Sequence, residues 1–329
     1  MTFTAGSEDA GIRLDAFLAE RISGWSRSRL QRVIDAGDVL VDQRASKSSY
    51  KLKEGDEVDV DLTEPPTAQF EPENIPLDIV YEDDFLAVIN KPAGMIVHPG
   101  AGITSGTLAN AIAWHFNLQN SVPKPARSKG DSFQYPAARN GDASSEHRVG
   151  IVHRLDKGTS GLILVAKDSE TQEALGDQFR NRTVHKSYIA LVHGSPRESS
   201  GIIDRRIARD RWHRTKMTVA ANGRNALTHW KVRQRFEKFT LLDVDIKTGR
   251  THQIRVHLAS INHPVVGDET YNEGRDNTIA DVALNQAVGR LGRQFLHAGR
   301  LAFDNPRTGE RMLFTAGLPD ELNEILGLL

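Results

Sequence analysis

The chain has 329 residues, 39% apolar and 26% charged, with a net charge of −1 and no cysteine. That length allows one large domain or two unequal ones with ample core. Without cysteine there are no disulfides, thiolate nucleophiles or cysteine-based zinc sites, and the small net charge leaves nucleic-acid binding to local patches. No apolar run approaches the ~18 residues of a membrane span. Met1 to Gly11 is polar, lacks a secretory pattern and reads as a flexible N-terminus, so a cytoplasmic location is expected.

Residues 12–62 form the first unit. Ile12, Leu14, Phe17, Leu18 and Ile22 recur at helical spacing, and a second helix follows from a serine cap at Ser26 through Ile34. Gly37 ends it, and Val39–Val41 and Val58–Val60 read as short strands around the Gly55-Asp56 turn. Seven Lys/Arg stand against three Asp between Ser26 and Lys53, with Arg27, Arg29 and Arg32 on the second helix as candidate RNA-binding side chains. A helix pair with Ser-Arg-Ser-Arg, then Gly-Asp-Val-Leu-Val, then Leu-Lys-Glu-Gly-Asp-Glu-Val resembles the S4 RNA-binding domain. The Val-Asn-Gly turn usual in that domain is Val41-Asp42-Gln43 here.

Residues 63–76 hold four prolines and few large apolar side chains, as a linker would. From Leu77 the pattern turns to strands at Ile79-Val80-Tyr81, Phe85–Asn90 and Met95–His98, then to a helix from Thr107 to Phe116. Residues 118–147, rich in Pro, Ser, Lys, Gly and Asn, read as a disordered insertion. A polar, glycine-punctuated turn at 153–161 then separates Ile151-Val152 from the apolar run Leu162–Ala166. As a strand end, it would project Arg154 and Asp156 to one side. On its own this is also what a surface turn with a local Arg–Asp pair looks like, and Arg13-Leu14-Asp15 repeats the tripeptide in a helical setting.

An amphipathic helix is expected over 169–182 and a strand over Lys186–Val192. Between Ile202 and Arg235 ten Lys/Arg stand against two Asp, with Trp212, His213 and Trp230 interspersed. Such a segment suits either an RNA backbone, with Lys216 as a contact, or an exposed charged hairpin. Leu241–Ile246 is a further strand. Gly249-Arg250-Thr251 opens a helix that Thr251 can cap, with Ile254, Leu258 and Ile261 on its buried face. Strands at Arg300–Phe303 and Met312–Phe314 and a helix over 319–328 close the chain.

Three polar groups stand on elements with apolar backs: Asp156 after a strand, Tyr188 within one, and Arg255 one turn into a helix. Tyr188 also fits a core tyrosine with a satisfied hydroxyl, and Arg255 a helix-face ion pair. His252 and His257, five apart on a helix, diverge, so no metal site is expected.

Five motifs in one order carry a closer resemblance. They are Pro76–Asp84 followed by Asn90-Lys91-Pro92-Ala93-Gly94 and Val97-His98-Pro99-Gly100-Ala101-Gly102; His153-Arg154-Leu155-Asp156 through Gly161; Lys186-Ser187-Tyr188 through Val192; Gly249-Arg250-Thr251-His252-Gln253-Ile254-Arg255-Val256-His257; and Pro264–Asp268 with Leu296-His297-Ala298. In these the chain resembles the RluA family of RNA pseudouridine synthases, most similar to the RluD branch acting on large-subunit ribosomal RNA. The resemblance implies an α+β fold: a pseudouridine synthase domain at 77–329 with a mostly antiparallel mixed sheet, behind a small S4-like α/β domain at 12–62.

It further implies Asp156 as the reacting carboxylate, Arg255 as its cationic partner, and Tyr188 stacked on the base and placed to take the C5 proton. Arg154 would enter the helix when the uridine flips out, and His153, Thr159, Arg250, His252 and Gln253 would bind substrate. The isomerisation needs no cofactor and no metal. The implied partner is large-subunit ribosomal RNA or a pre-ribosomal particle, with no membrane, and a monomer is expected. Transfer RNA as substrate, or a non-catalytic RNA-binding factor of ribosome assembly, stays open at this point, because catalytic motifs do not separate RNA targets.

Overall fold

The computed structural model describes the chain except residues 23–24, 26, 62–70, 100–102, 117–149 and 214, together with the side chains at 28, 29, 32 and 36. The expected insertion at 118–147, most of the 63–76 linker, the Ser26 cap and the Arg29 and Arg32 side chains therefore lie outside the described residues. The chain divides into two compact units, Met1–Gln69 and Phe70–Leu329.

In the first unit, helices Leu14–Arg21 and Arg27–Ala36 bury Leu14, Phe17, Leu18, Leu30 and Val33 against a four-stranded sheet. Its strands lie in the order Thr2–Thr4, Glu57–Val60, Val39–Val41, Arg44–Ala45. Residues 1–11 are thus part of this unit rather than a flexible lead-in. Thr2 pairs with Asp59 and Thr4 with Glu57, and Ala5 is buried in the core. A three-residue strand with alternating polar residues is too short to show a period. Asp15 is fully buried and takes hydrogen bonds from Arg13 (3.0 Å), Arg27 (2.8 Å) and Gln31 (2.5 Å). The Arg13 bond, then those of Arg27 and Gln31, outweigh burial and hold that carboxyl far below its ordinary range. Arg27, expected on RNA, makes this ion pair from a side chain that is 49% exposed.

The Asp42-Gln43 hairpin keeps its two-residue geometry, with Val41 opposite Arg44 and both turn residues left-handed (φ 48° and 61°). That is the backbone Asn-Gly adopts without strain. Asp42 is anchored, its side chain accepting from the Glu57 amide at 3.0 Å, whereas Gln43 is exposed. Gln43→Gly should therefore stabilise this unit by about 0.5–1 kcal/mol. Slower amide hydrogen exchange across its strands in the full chain would show the gain, and unchanged exchange would contradict it.

The second unit is built on a ten-stranded sheet. Its spatial path runs Ser200–Asp204, Leu227–Arg235, Phe239–Ile246, His185–His193, Leu296–Asp304, Ser160–Ala166, Leu86–Lys91, Ile79–Glu82, with Arg311–Thr315 and Gly150–Ile151 attached. Every pairing is antiparallel except that of Leu296–Asp304 with Ser160–Ala166, giving the mostly antiparallel mixed sheet expected. At that parallel contact Gly161 has φ 114°, and a Cβ there would lie 2.4 Å from the Ala298 carbonyl oxygen. Only glycine lets the two backbones approach.

Thr107 caps the helix Leu108–His115 by accepting from the Asn110 amide. Residues 71–76, placed in the linker, already belong to this unit: the Glu73 amide donates to Asn110 O, and the Asn110 side chain to Glu71 O. Met95–His98 is not a strand, only a bridge from Ile96 to Thr107. Among the described residues no helix is long and apolar enough to cross a membrane.

Candidate active site

A cleft of about 690 Å³ opens at the ends of the central strands, in the size range of ligand sites. Asp156, Tyr188 and Arg255, which lie on three separate elements, all line it. Residues 152–156 continue from the strand Gly150–Ile151 as irregular chain, so a strand pleat does not aim Asp156.

The loop carrying Asp156 is braced from behind. Lys91 is fully buried and its Nζ donates to the carbonyls of Pro92 (2.7 Å), Met95 (2.9 Å) and Lys157 (3.4 Å). The Gly94 amide reaches Lys157 O, Arg293 donates to Gly158 O at 3.1 Å, and Gln294 donates to Thr159 Oγ1 at 2.9 Å. Burial, with Arg293 nearby, pushes Lys91 down to about 8, while the Asp156 charge pulls the other way. Thr159 thus accepts from Gln294, which holds the loop in shape, and also lines the cleft.

The helix Gln253–Ser260 delivers Arg255. Its Nη1 donates to Asp156 Oδ2 at 3.2 Å, and its Nε and Nη2 grip Asp268 at 2.6 and 2.7 Å. Burial lowers the Arg255 pKa, but the bonds and charge of Asp268, then those of Asp156, more than offset it and raise it overall. Asp268, almost fully buried, is a site residue that sequence reasoning did not single out, although it closes the Pro264–Asp268 motif. This bidentate fork fixes the guanidinium so that Nη1 faces Asp156.

Thr251 does not cap this helix. The N-cap is His252, left-handed at φ 55° and without a side-chain cap bond. Gln253 secures the turn instead: its Oε1 accepts from Thr248 Oγ1 and the Arg250 amide, and its Nε2 donates to Leu227 O and Thr228 Oγ1. With both ends of its amide occupied, Gln253 positions the turn and has no free group to offer substrate. The Met217 amide donates to the Tyr271 hydroxyl, which in turn lies 2.8 Å from His252 Nδ1. Burial keeps His252 below its ordinary value, with Asp156 acting oppositely. The lowered pKa favours the neutral imidazole, tied at Nδ1 to the Tyr271 hydroxyl. His257 points elsewhere, to Thr228 Oγ1 and Arg205 O at 2.9 Å each.

Tyr188 is buried in its strand opposite Val244, and its hydroxyl has no hydrogen-bond partner among the described residues. Burial, then the Asp156 carboxylate, push the phenol well above its ordinary range, so it stays protonated at neutral pH. It therefore offers the cleft a ring face and a neutral hydroxyl.

His153 serves the sheet, with Nε2 accepting from the Leu164 amide at 2.9 Å and the ring stacked on Phe179 at 4.8 Å. Burial and the Lys186 charge push it down to about 3. Arg154 is exposed on the cleft lining, and Arg250 lines it too while donating to Asn225 O at 3.2 Å. Lys216 lies in the turn between strands Ile207–Arg209 and Met217–Val219 and is not among the lining residues of the cleft. Among the described residues no group of His, Asp and Glu is placed to hold a metal ion.

Comparison with known proteins gives this arrangement its context. The RNA pseudouridylate synthase family model matches residues 85–260, and the S4 domain model residues 12–58. An uncharacterized RNA pseudouridine synthase of Bacillus subtilis, YlyB, is 41% identical over 98% of this chain and 96% of its own length. The ribosomal large subunit pseudouridine synthase D of Nitrosomonas europaea is 43% identical over 96% of this chain and 84% of its own. Among solved structures, human RNA pseudouridylate synthase domain containing 4 shares the fold, with a TM-score of 0.54 at 24% identity over 76% of this chain and 91% of its own. The chain belongs to the RNA pseudouridylate synthase family and is an RNA pseudouridine synthase, an isomerase, with an N-terminal S4 domain.

Proposed function

We propose that this enzyme converts specific uridines of large-subunit ribosomal RNA to pseudouridine in the cytoplasm, using Asp156 as an essential carboxylate on a uridine flipped out of its helix. The observation that carries the reading is the Asp156–Arg255–Asp268 arrangement beside Tyr188 in one cleft. The reaction breaks the C1′–N1 bond, turns the uracil, joins C5 to C1′, and moves the C5 proton away as N1 gains one.

An ionised carboxylate against a solvent-poor wall can attack C1′, add to the base, or promote a glycal path. Each route needs it aimed, which the Arg255 bond provides. The Tyr188 ring supports the turned base by stacking, and its hydroxyl, protonated at neutral pH, takes the C5 proton only as it hands its own proton on to N1 or to solvent. Arg154 fills the space the base leaves. Relatives named ribosomal large subunit pseudouridine synthase D, which match 96–99% of this chain and 81–89% of their own length, favour ribosomal over transfer RNA.

Site-resolved pseudouridine mapping of ribosomal and transfer RNA, from cells with and without the gene, tests this. Loss confined to large-subunit sites, restored by wild type and not by Asp156→Asn, is expected. Loss in transfer RNA would move the substrate, and no loss anywhere would remove the proposal.

A further inference from the structure

Lys186 sits two residues before Tyr188 in the strand His185–His193, so alternation sends both side chains from one sheet face, and both line the cleft. Its ammonium has no hydrogen bond or ion pair among the described residues. Its one ring contact is with Phe179, 5.2 Å from the centroid. The other cations here differ from it. Arg255 is balanced by two carboxylates, Lys91 is enclosed by three carbonyls, Arg250 donates to Asn225 O, and Arg154, Arg180, Arg182 and Lys247 are exposed. Lys186 is half-buried without a counter-charge, an arrangement that costs free energy until an anion arrives.

We propose that Lys186 binds a backbone phosphate flanking the target uridine and so positions the nucleotide whose base lies over Tyr188. The inference rests on the base placement proposed above. One strand repeat, about 7 Å, separates the two side chains, short enough for both to act on one nucleotide. The Lys186 Nζ lies 5.2 Å from the Phe179 ring centroid and would be 3.8 Å from a Cβ at Gly249, and burial lowers its pKa to about 8. Exposed Arg182 and Lys247 line the same cleft, which suits an anion there.

The test uses the full-length enzyme, its Lys186→Gln and Lys186→Arg variants, and a ribosomal RNA hairpin carrying the mapped uridine. In parallel RNAs each flanking phosphate is replaced by a neutral methylphosphonate, with the adjoining 2′-hydroxyls methylated in all, control included. Lys186→Gln should weaken binding about tenfold or more and leave the saturating single-turnover rate within a few-fold. It should also reduce the slope of log affinity against log salt by about one, and Lys186→Arg should restore most of the affinity. One methylphosphonate should weaken wild-type binding and add little to Lys186→Gln. Thermal midpoints should hold or rise, because an uncompensated charge is removed.

Additive losses at both linkages, or a fall in saturating rate at unchanged affinity, would overturn the phosphate contact. The binding arm reads Lys186 even where turnover is absent. Failure of the proposed reaction and failure of the contact are therefore distinguishable.

Discussion

Asp156→Asn is expected to lower single-turnover pseudouridine formation by ~10³-fold or more, with a folded, RNA-binding protein remaining. The substitution keeps the shape of the side chain and removes its charge, so every route that needs a nucleophile or an anionic stabiliser at C1′ loses it. Stability should change by only about 1 kcal/mol. The carboxylate side chain is 18% exposed and gives Arg255 a single bond of 3.2 Å, while Asp268 keeps its two shorter ones. The loop itself is held by Lys91, Arg293 and Gln294, none of which touches the Asp156 carboxylate. The assay is rapid-quench turnover beside a melting curve on the same preparation. A rate within tenfold of wild type would take Asp156 out of the chemistry, and a collapsed melting curve would show the loop depends on it.

How much of this was legible depended on whether the determinant was local. Apolar spacing marks the helices Leu14–Arg21 and Ser169–Arg180 and the strand His185–His193 because each buries one face or both. The family motifs pointed to Asp156, Tyr188 and Arg255, which the fold brings to one cleft although Arg255 lies 99 residues from Asp156. What could not be read was the bracing. Lys91, Arg293 and Gln294 act on the 157–159 turn from up to 135 residues away, and nothing in their own neighbourhoods says which group they will meet. The same holds in miniature for Thr251. Its type and position suit a cap, but the Gln253 amide satisfies the turn first, and the helix starts a residue later than a threonine cap would allow. His153 stands in a family motif, yet its nitrogen accepts from the Leu164 amide. A motif selects for a residue's presence without saying whether it touches substrate or holds the sheet.

Asp268→Ala should destabilise the catalytic unit by about 3–5 kcal/mol and abolish detectable turnover. Arg255 is buried, and Asp268 supplies two of its three carboxylate bonds, at 2.6 and 2.7 Å, from a side chain that is itself 1% exposed. Removing that carboxylate strands most of a guanidinium where water cannot reach it, and also frees the Thr270 amide that Asp268 Oδ1 accepts at 3.1 Å. Arg255 then swings toward Asp156 as its sole counter-charge and no longer presents one fixed N–H. The control is the double substitution Arg255→Met with Asp268→Leu, which removes the buried pair and refills its volume. Its melting temperature should return to near that of wild type, because a well-packed apolar pair replaces ions whose desolvation was costly. Its activity should stay absent, because Asp156 has lost the cation that aims it. Stability and catalysis would thus separate at one pair of residues. An Asp268→Ala protein that melts with wild type would mean the fork contributes nothing to the fold, and an active double variant would mean Asp156 needs no cation beside it.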